Sequence, residues 1–325
     1  MLLTFDLSAV RVRRPAWAGG FISNMRFSTA QIAKLVSFIV AVILFAVVSI
    51  STISGFLVYQ IIHPARTPSS FDLSIMMGHP TTFSFPVADG PKREGWFFPG
   101  LQGAPTVVVC HGYQSQRTDV LTLVTTLQDH QYNVFLFDFS GHGTSEGSTS
   151  LGYKEAGEVE SAIQALAKRN DVDRKHFGLW GTDMGGYAVL ETAETDPRVA
   201  AFAVTDVYSD PREMLRMQVR QSGLTAVPYV LNASDAIFRL VNYSYRSTPP
   251  ASANIGRTHG IPKLFISSDD QPQLASETTQ LYNEAPDPKQ MLRDDVRYRD
   301  MSDDDRKNYE NAMVSFFLQY LPPAE

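Results

Sequence analysis

The longest pattern along the chain is an unbroken apolar run. Leu35 to Tyr59 reads LVSFIVAVILFAVVSISTISGFLVY, 25 residues without a charge. A helix rises about 1.5 Å per residue, so about 20 residues cross the hydrocarbon core of a bilayer. A helix half-covered by a protein core would show a polar stripe over that length, and this one shows none. The run therefore predicts a transmembrane helix at 35–60, in contact with the lipid bilayer. A cleaved signal peptide fits less well, because its apolar region is about 7–15 residues long and starts nearer the N-terminus. Pro64, Pro68 and two serines mark a linker over 61–79.

Beyond residue 80 the pattern alternates between strand and helix. Thr81–Pro86 and Gly95–Phe98 read as short antiparallel strands. Thr106–Cys110 (TVVVC) and Asn133–Phe139 (NVFLFDF) are continuous apolar runs, as strands buried on both faces should be. Phe177–Trp180, Val199–Thr205 and Lys263–Ser267 are three more. Between them, Asp119–Gln128 and Met184–Thr192 are helical in pattern. Val159, Ala162, Ile163 and Leu166 fall at i, i+3, i+4, i+7. Ser302 and Asp305 resemble a capping box that opens a last helix, whose apolar face includes Tyr309, Met313, Phe316 and Phe317. Such alternation gives right-handed crossovers and a mostly parallel sheet with helices on both faces. Residues 207–258 are too long for an ordinary loop between two core strands and predict a lid. Helical pattern appears in the lid around Pro211–Arg220 and Asp235–Val241. The expected organisation is a basic segment 1–34, the transmembrane helix, the linker and a domain over 80–325.

Composition and charge narrow the function classes. Hydrophobic residues at 44% and charged residues at 19% exclude a disordered or fibrous chain. The one cysteine, Cys110, excludes an internal disulfide framework and argues against a cysteine-based metal centre. Scattered aspartates, among them Asp206, Asp210 and Asp294, lack calcium-loop spacing and read as solvated surface. No metal or cofactor is expected. Residues 1–66 hold five net positive charges, which leaves −11 on the remainder of a chain whose net charge is −6. The positive-inside rule then places the N-terminus in the cytoplasm and the main domain outside it. So acidic a domain argues against nucleic acid as a partner.

The candidate chemistry sits at one strand-to-helix turn. Gly181-Thr182-Asp183-Met184-Gly185-Gly186 has the form of a nucleophile elbow, in which small residues flank a strained, exposed side chain. Upstream, Cys110-His111-Gly112-Tyr113 follows one core strand, and Asp138-Phe139-Ser140-Gly141-His142-Gly143-Thr144-Ser145-Glu146-Gly147 follows another. These three motifs, in this order, resemble the α/β-hydrolase superfamily in its esterase and aminopeptidase-like branch, over about residues 80–322. The resemblance implies the α/β-hydrolase fold and hydrolysis of esters or amides by a serine, a histidine and an acid. It puts the catalytic serine at Asp183 and the oxyanion donors at the backbone N–H groups of Tyr113 and Met184. The acid position falls at Gln271 in strict register, or at Asp270 with a one-residue slip. The histidine should lie in Arg297-Tyr298-Arg299-Asp300-Met301-Ser302, and no histidine follows His259.

Three readings stay open on the sequence alone. Asp183 could attack carbon, as in haloalkane dehalogenases and epoxide hydrolases, with His111 as a substitute base for the water. Alternatively the triad is dismantled, and the Tyr113 and Met184 donors bind the Asp183 carboxylate itself. In the third reading, the old pocket under the lid, with Met214, Met217, Tyr229, Phe238 and Tyr243 nearby, holds a small-molecule ligand.

Overall fold

The computed structural model describes residues 28–66, 71–76, 78–88 and 90–323. The basic segment up to Phe27 lies outside them, as do positions 67–70 and 77 of the expected linker. The chain divides into two compact units, one ending at Ser49 and one beginning at Ile50. In the first, helix α1 (Thr29–Ile62) starts at Thr29, and every described residue up to Val48 is exposed. Phe38, Leu44 and Phe45 are 67%, 59% and 75% exposed. This helix is apolar and long enough to span a membrane.

The second unit is built on an eight-stranded sheet in the order β1-β2-β4-β3-β5-β6-β7-β8. The strands are β1 (Thr81–Phe85), β2 (Arg93–Phe98), β3 (Thr106–Cys110), β4 (Asn133–Phe137), β5 (Phe177–Thr182), β6 (Val199–Thr205), β7 (Lys263–Ser268) and β8 (Lys289–Asp294). The first two are antiparallel to each other, and β2 is antiparallel to β4. From β4 to β8 every pairing is parallel. Helices cover both faces, as parallel strands buried on both sides require. One face packs against α3 (Tyr153–Leu166), α4 (Asp183–Thr195) and α8 (Pro272–Glu284). The other packs against α2 (Leu121–Asp129) and α9 (Asp303–Tyr320), with Ser302 capping α9 through the Asp305 N–H. Between β6 and β7 lie α5 (Pro211–Gln221), α6 (Val230–Val241) and α7 (Ala251–Asn254), in the stretch the sequence marked as a lid.

The end of α1 belongs to this second unit. Ser54, Leu57, Val58, Ile61 and Ile62 recur at i, i+3, i+4, i+7, i+8 and are buried, the four apolar ones in the same core cluster as α3 and α4. Three polar bonds fix them. Ser54 donates its hydroxyl to the Val230 carbonyl at 3.2 Å. The Tyr113 hydroxyl donates to the Ile61 carbonyl at 2.9 Å, and the Thr149 N–H donates to the Ile62 carbonyl at 2.9 Å. Both carbonyls lie in the last turn of a helix, where no intrahelical donor remains for them. The boundary between units therefore lies after Ser49 rather than near residue 60. Residues 61 and 62, expected to open a linker, close the helix instead.

Candidate active site in the cleft above the sheet

At the elbow β5 ends at Thr182 and α4 starts at Asp183, whose φ of 39° lies in the left-handed region. A non-glycine residue there is strained, and tight packing on both sides holds it. A β carbon on Gly181 would collide with the Gly185 backbone, and one on Gly185 with the carbonyls of Cys110 and His111. These two contacts explain the small residues of the motif, because α4 must pass directly over the ends of β3 and β5.

The Asp183 carboxylate turns back into the turn. Its Oδ1 accepts the Tyr113 N–H at 2.6 Å and the Met184 N–H. Its Oδ2 lies against Gly112, where a β carbon would overlap it. Tyr113 and Met184, the residues expected to supply oxyanion donors, thus give both N–H groups to one side-chain oxygen. Burial pushes the Asp183 carboxyl up to about 7, against the pull of the two N–H donors and the positive charge of Arg299. The negative charge of Asp206 adds to the rise.

Asp183 lines a cleft of about 90 Å³, room for a few waters or a small ligand group. Gly112 to Ser115 form one wall, and Met214, Met217, Gln218 and Gln221 of α5 lie across it. Gln271, Arg297, Tyr298 and Arg299 close the end above β7 and β8, and Asp206 faces in from the end of β6. Of the lid side chains expected near a ligand, Met214 and Met217 reach the cleft. Phe238 is buried in the core cluster, while Tyr229 and Tyr243 are 71% and 58% exposed on the outside of the lid. Alternation along α5 and α6 sets this division, since only one face of each helix can point inward.

Residues 103–225 match the family described as serine aminopeptidase, S33. In structure, the chain is similar to an esterase of Pyrococcus furiosus, with a TM-score of 0.64 at 17% identity, over 80% of this chain and 98% of that one. It is similar also to the α/β hydrolase GrgF of a Penicillium species, with a TM-score of 0.58 at 18% identity, over 75% of this chain and 99% of that one. The fold is that of the α/β-hydrolases. In sequence, the chain is 26% identical over 252 residues to the uncharacterized protein YfhR of Escherichia coli K12, covering 74% of this chain and 81% of that protein.

Placed on the α/β-hydrolase frame, two expected residues stand elsewhere than the chemistry needs. His111 is fully buried. Its Nε2 accepts the Phe139 N–H at 3.1 Å, so its proton sits on Nδ1, which donates to the Gly112 carbonyl at 2.8 Å. Burial also pushes its pKa down. Both nitrogens are used to hold the loop, and the expectation that His111 substitutes as the base is corrected on that ground. Asp270 is corrected as well. It is exposed and accepts the Arg297 N–H at 3.1 Å, with the Arg297 guanidinium 3.7 Å away, and it does not line the cleft.

The carboxylate that does share the cleft with Asp183 is Asp206, which the sequence placed among solvated aspartates. It is 2% exposed. It accepts the Ser268 N–H at 2.7 Å and the Ser268 hydroxyl at 2.6 Å, and burial pushes it up to about 6 despite them. A usable signal was present: Asp206 directly follows an apolar strand, where α/β folds put functional side chains. Asp138 keeps a folding role. It accepts the Arg117 N–H at 2.7 Å and the Thr144 N–H and hydroxyl at 3.0 Å each, and so ties the glycine-rich turn to the chain after Tyr113.

Proposed function

We propose that this chain is a membrane-anchored α/β-hydrolase-fold protein that binds a small hydrogen-bond-donating ligand in the cleft and does not turn over esters or amides. Carrying this reading is Arg299, which faces Asp183 from the loop where the fold carries its histidine. Hydrolysis needs a base there, and a guanidinium keeps its proton throughout the working pH range. The same cation offsets part of the cost of ionising Asp183. The seated carboxylate supports the reading further, because it occupies the two donors that a developing oxyanion would need. Asp183 and Asp206 then offer acceptors to a ligand, and the glutamines Gln218, Gln221 and Gln271 offer both donors and acceptors.

The anchor is α1. Apolar side chains exposed around its whole circumference need lipid, and its buried last turns favour retention over cleavage, since cleavage would strip Leu57, Val58, Ile61 and Ile62 from the core. The positive charges ahead of it put the N-terminus in the cytoplasm and the α/β domain outside.

One observation favours a second reading, a hydrolase using Asp183 as nucleophile on esters, amides, epoxides or haloalkanes. With Oδ1 held by two N–H groups, Oδ2 remains to attack carbon. The test is full-length protein in lipid nanodiscs, wild type beside Asp183→Ala, on a panel of these four substrate classes, with intact mass measured after each incubation. Binding without chemistry predicts no turnover and no adduct. A mass adduct that vanishes in Asp183→Ala would establish carbon attack, and turnover that vanishes with it would establish the enzyme.

A further inference from the structure

The outer face of the lid carries a feature that the cleft does not use. Tyr229, Leu240, Val241 and Tyr243 are 71%, 73%, 56% and 58% exposed. They lie at the two ends of α6, whose opposite face buries Val230, Ser234 and Phe238. Two cations accompany them. Arg239 and Arg246 line one groove beside Leu240 and Tyr243, and the Arg246 guanidinium stacks over the Tyr243 ring at 4.2 Å. Among the described residues neither arginine has a carboxylate within ion-pair distance.

Aromatic, aliphatic and unpaired basic side chains on an amphipathic helix and the turns at its two ends are the composition of a surface that lies in a membrane interface. The occupant follows from where α1 leaves the bilayer, and here the inference rests on the anchor reading above. A span that opens at Leu35 and uses about 20 residues closes near Ser54. Ser54 is bonded to Val230, the first residue of α6. The start of the lid helix is therefore fixed beside the point at which the chain emerges from lipid. We infer that the outer face of α6 docks on an anionic bilayer surface, with Tyr229, Leu240, Val241 and Tyr243 in the interface and Arg239 and Arg246 against lipid phosphates. Basic side chains held near such a surface gain from its negative potential, and the gain disappears in zwitterionic lipid.

The experiment uses the full chain with single cysteines carrying an environment-sensitive fluorophore, in vesicles containing nitroxide-labelled lipid. The native Cys110 is fully buried and leaves labelling to the introduced sites. Probes sit at Tyr229→Cys and Leu240→Cys, at Phe45→Cys in the span and at Gln280→Cys on the exposed side of α8. Vesicles are phosphatidylcholine alone or phosphatidylcholine with phosphatidylglycerol. The expected result is quenching at positions 229 and 240 approaching that at position 45, deeper with phosphatidylglycerol, and loss of that dependence in Arg239→Glu/Arg246→Glu. Quenching at position 45 with positions 229 and 240 no different from position 280 would overturn the docking while leaving the anchor standing. No quenching at position 45 would bring down the anchor reading and the docking with it. Blue-shifted but unquenched probes on the lid would mean that another protein copy covers the face, and would also overturn the docking. Equal quenching in both vesicle types would refute the role given to the two arginines.

Discussion

Replacing Asp183 by asparagine tests the seated carboxylate through stability rather than activity. In the folded chain this carboxyl is pushed up to about 7, from an ordinary value of 3.8. In the unfolded chain it ionises near pH 4. Between those two pH values the folded protein holds a proton that the unfolded one has released, so stability falls as pH rises from about 4 to about 7 and levels off above. A carboxyl that keeps its proton to about pH 7 rather than about 4 costs, once ionised, up to about 4 kcal/mol. Asp183 keeps some contact with the cleft, so the figure to expect is about 2–4 kcal/mol. Asparagine has the same shape and its Oδ1 can accept from Tyr113 and Met184, but it never ionises. Asp183→Asn should therefore match wild type at about pH 3.5, already exceed it slightly at pH 5 and exceed it fully at pH 8.5. For a domain of this size that is on the order of 5–10 °C in melting temperature. The assay is thermal unfolding of full-length protein in nanodiscs at these pH values, followed by tryptophan fluorescence, with Trp180 fully buried as reporter. Equal melting of the two proteins at pH 8.5, or a less stable asparagine variant there, would refute the seating and the burial argument together. Asp206 titrates in an overlapping range and its charge adds to the rise at Asp183, so the difference between the two proteins reads position 183 together with that coupling.

Other perturbations test neighbouring parts of the same arrangement. Gly112→Ala should destabilise, because its β carbon would overlap the Asp183 carboxylate. Adding Asp183→Ala should recover part of the loss, with a coupling of about 1–3 kcal/mol in a double-mutant cycle read by melting temperature. Tyr113→Phe removes the hydroxyl that satisfies the Ile61 carbonyl, and should cost about 1–3 kcal/mol in the same melts. Arg93→Ala should cost about 3–5 kcal/mol, because it strands the Glu158 carboxylate, 2% exposed, that Arg93 meets at 2.9 Å. The Cys110 thiol, pushed up by burial, should resist maleimide in the folded chain and react on unfolding, which mass spectrometry would show.

Much of the frame was legible because its elements carry their own periodicity. β3, β4 and β6 are apolar at nearly every position, and α9 is announced by Ser302 and its buried stripe. β8 and α8 escaped for a physical reason. β8 is an edge strand, KQMLRD, with each residue at least partly exposed, so it has no apolar run to read. α8 buries only Leu274, Thr278 and Leu281 and is otherwise polar. The elbow and its donors were legible through spacing, since the glycines that let α4 cross β3 are local in sequence. The companions of Asp183 were not. Asp206 reaches the cleft from the end of β6 and Arg299 from the loop after β8, 23 and 116 residues further along, and only the strand order brings them together. The apolar strand just before Asp206 hints at its place, but its Ser268 partner lies 62 residues away in sequence.

Tyr113 shows why the end of α1 and the cleft form one structural problem. Its N–H holds the Asp183 carboxylate and its hydroxyl holds the last turn of α1. Thr149, one residue group away, repeats the pattern: its N–H takes the Ile62 carbonyl, and its hydroxyl donates to Glu155 at 2.7 Å, the buried acid that also accepts from Ser150 and Gly152 at the start of α3. A loop whose backbone N–H holds a buried carboxylate must itself be held at its far end. Here the holding group is the backbone at the end of the long apolar helix α1. The end of α1 is thus a wall of the domain, and the position of the loop that carries Tyr113 depends on residues that an account starting after residue 62 would leave out.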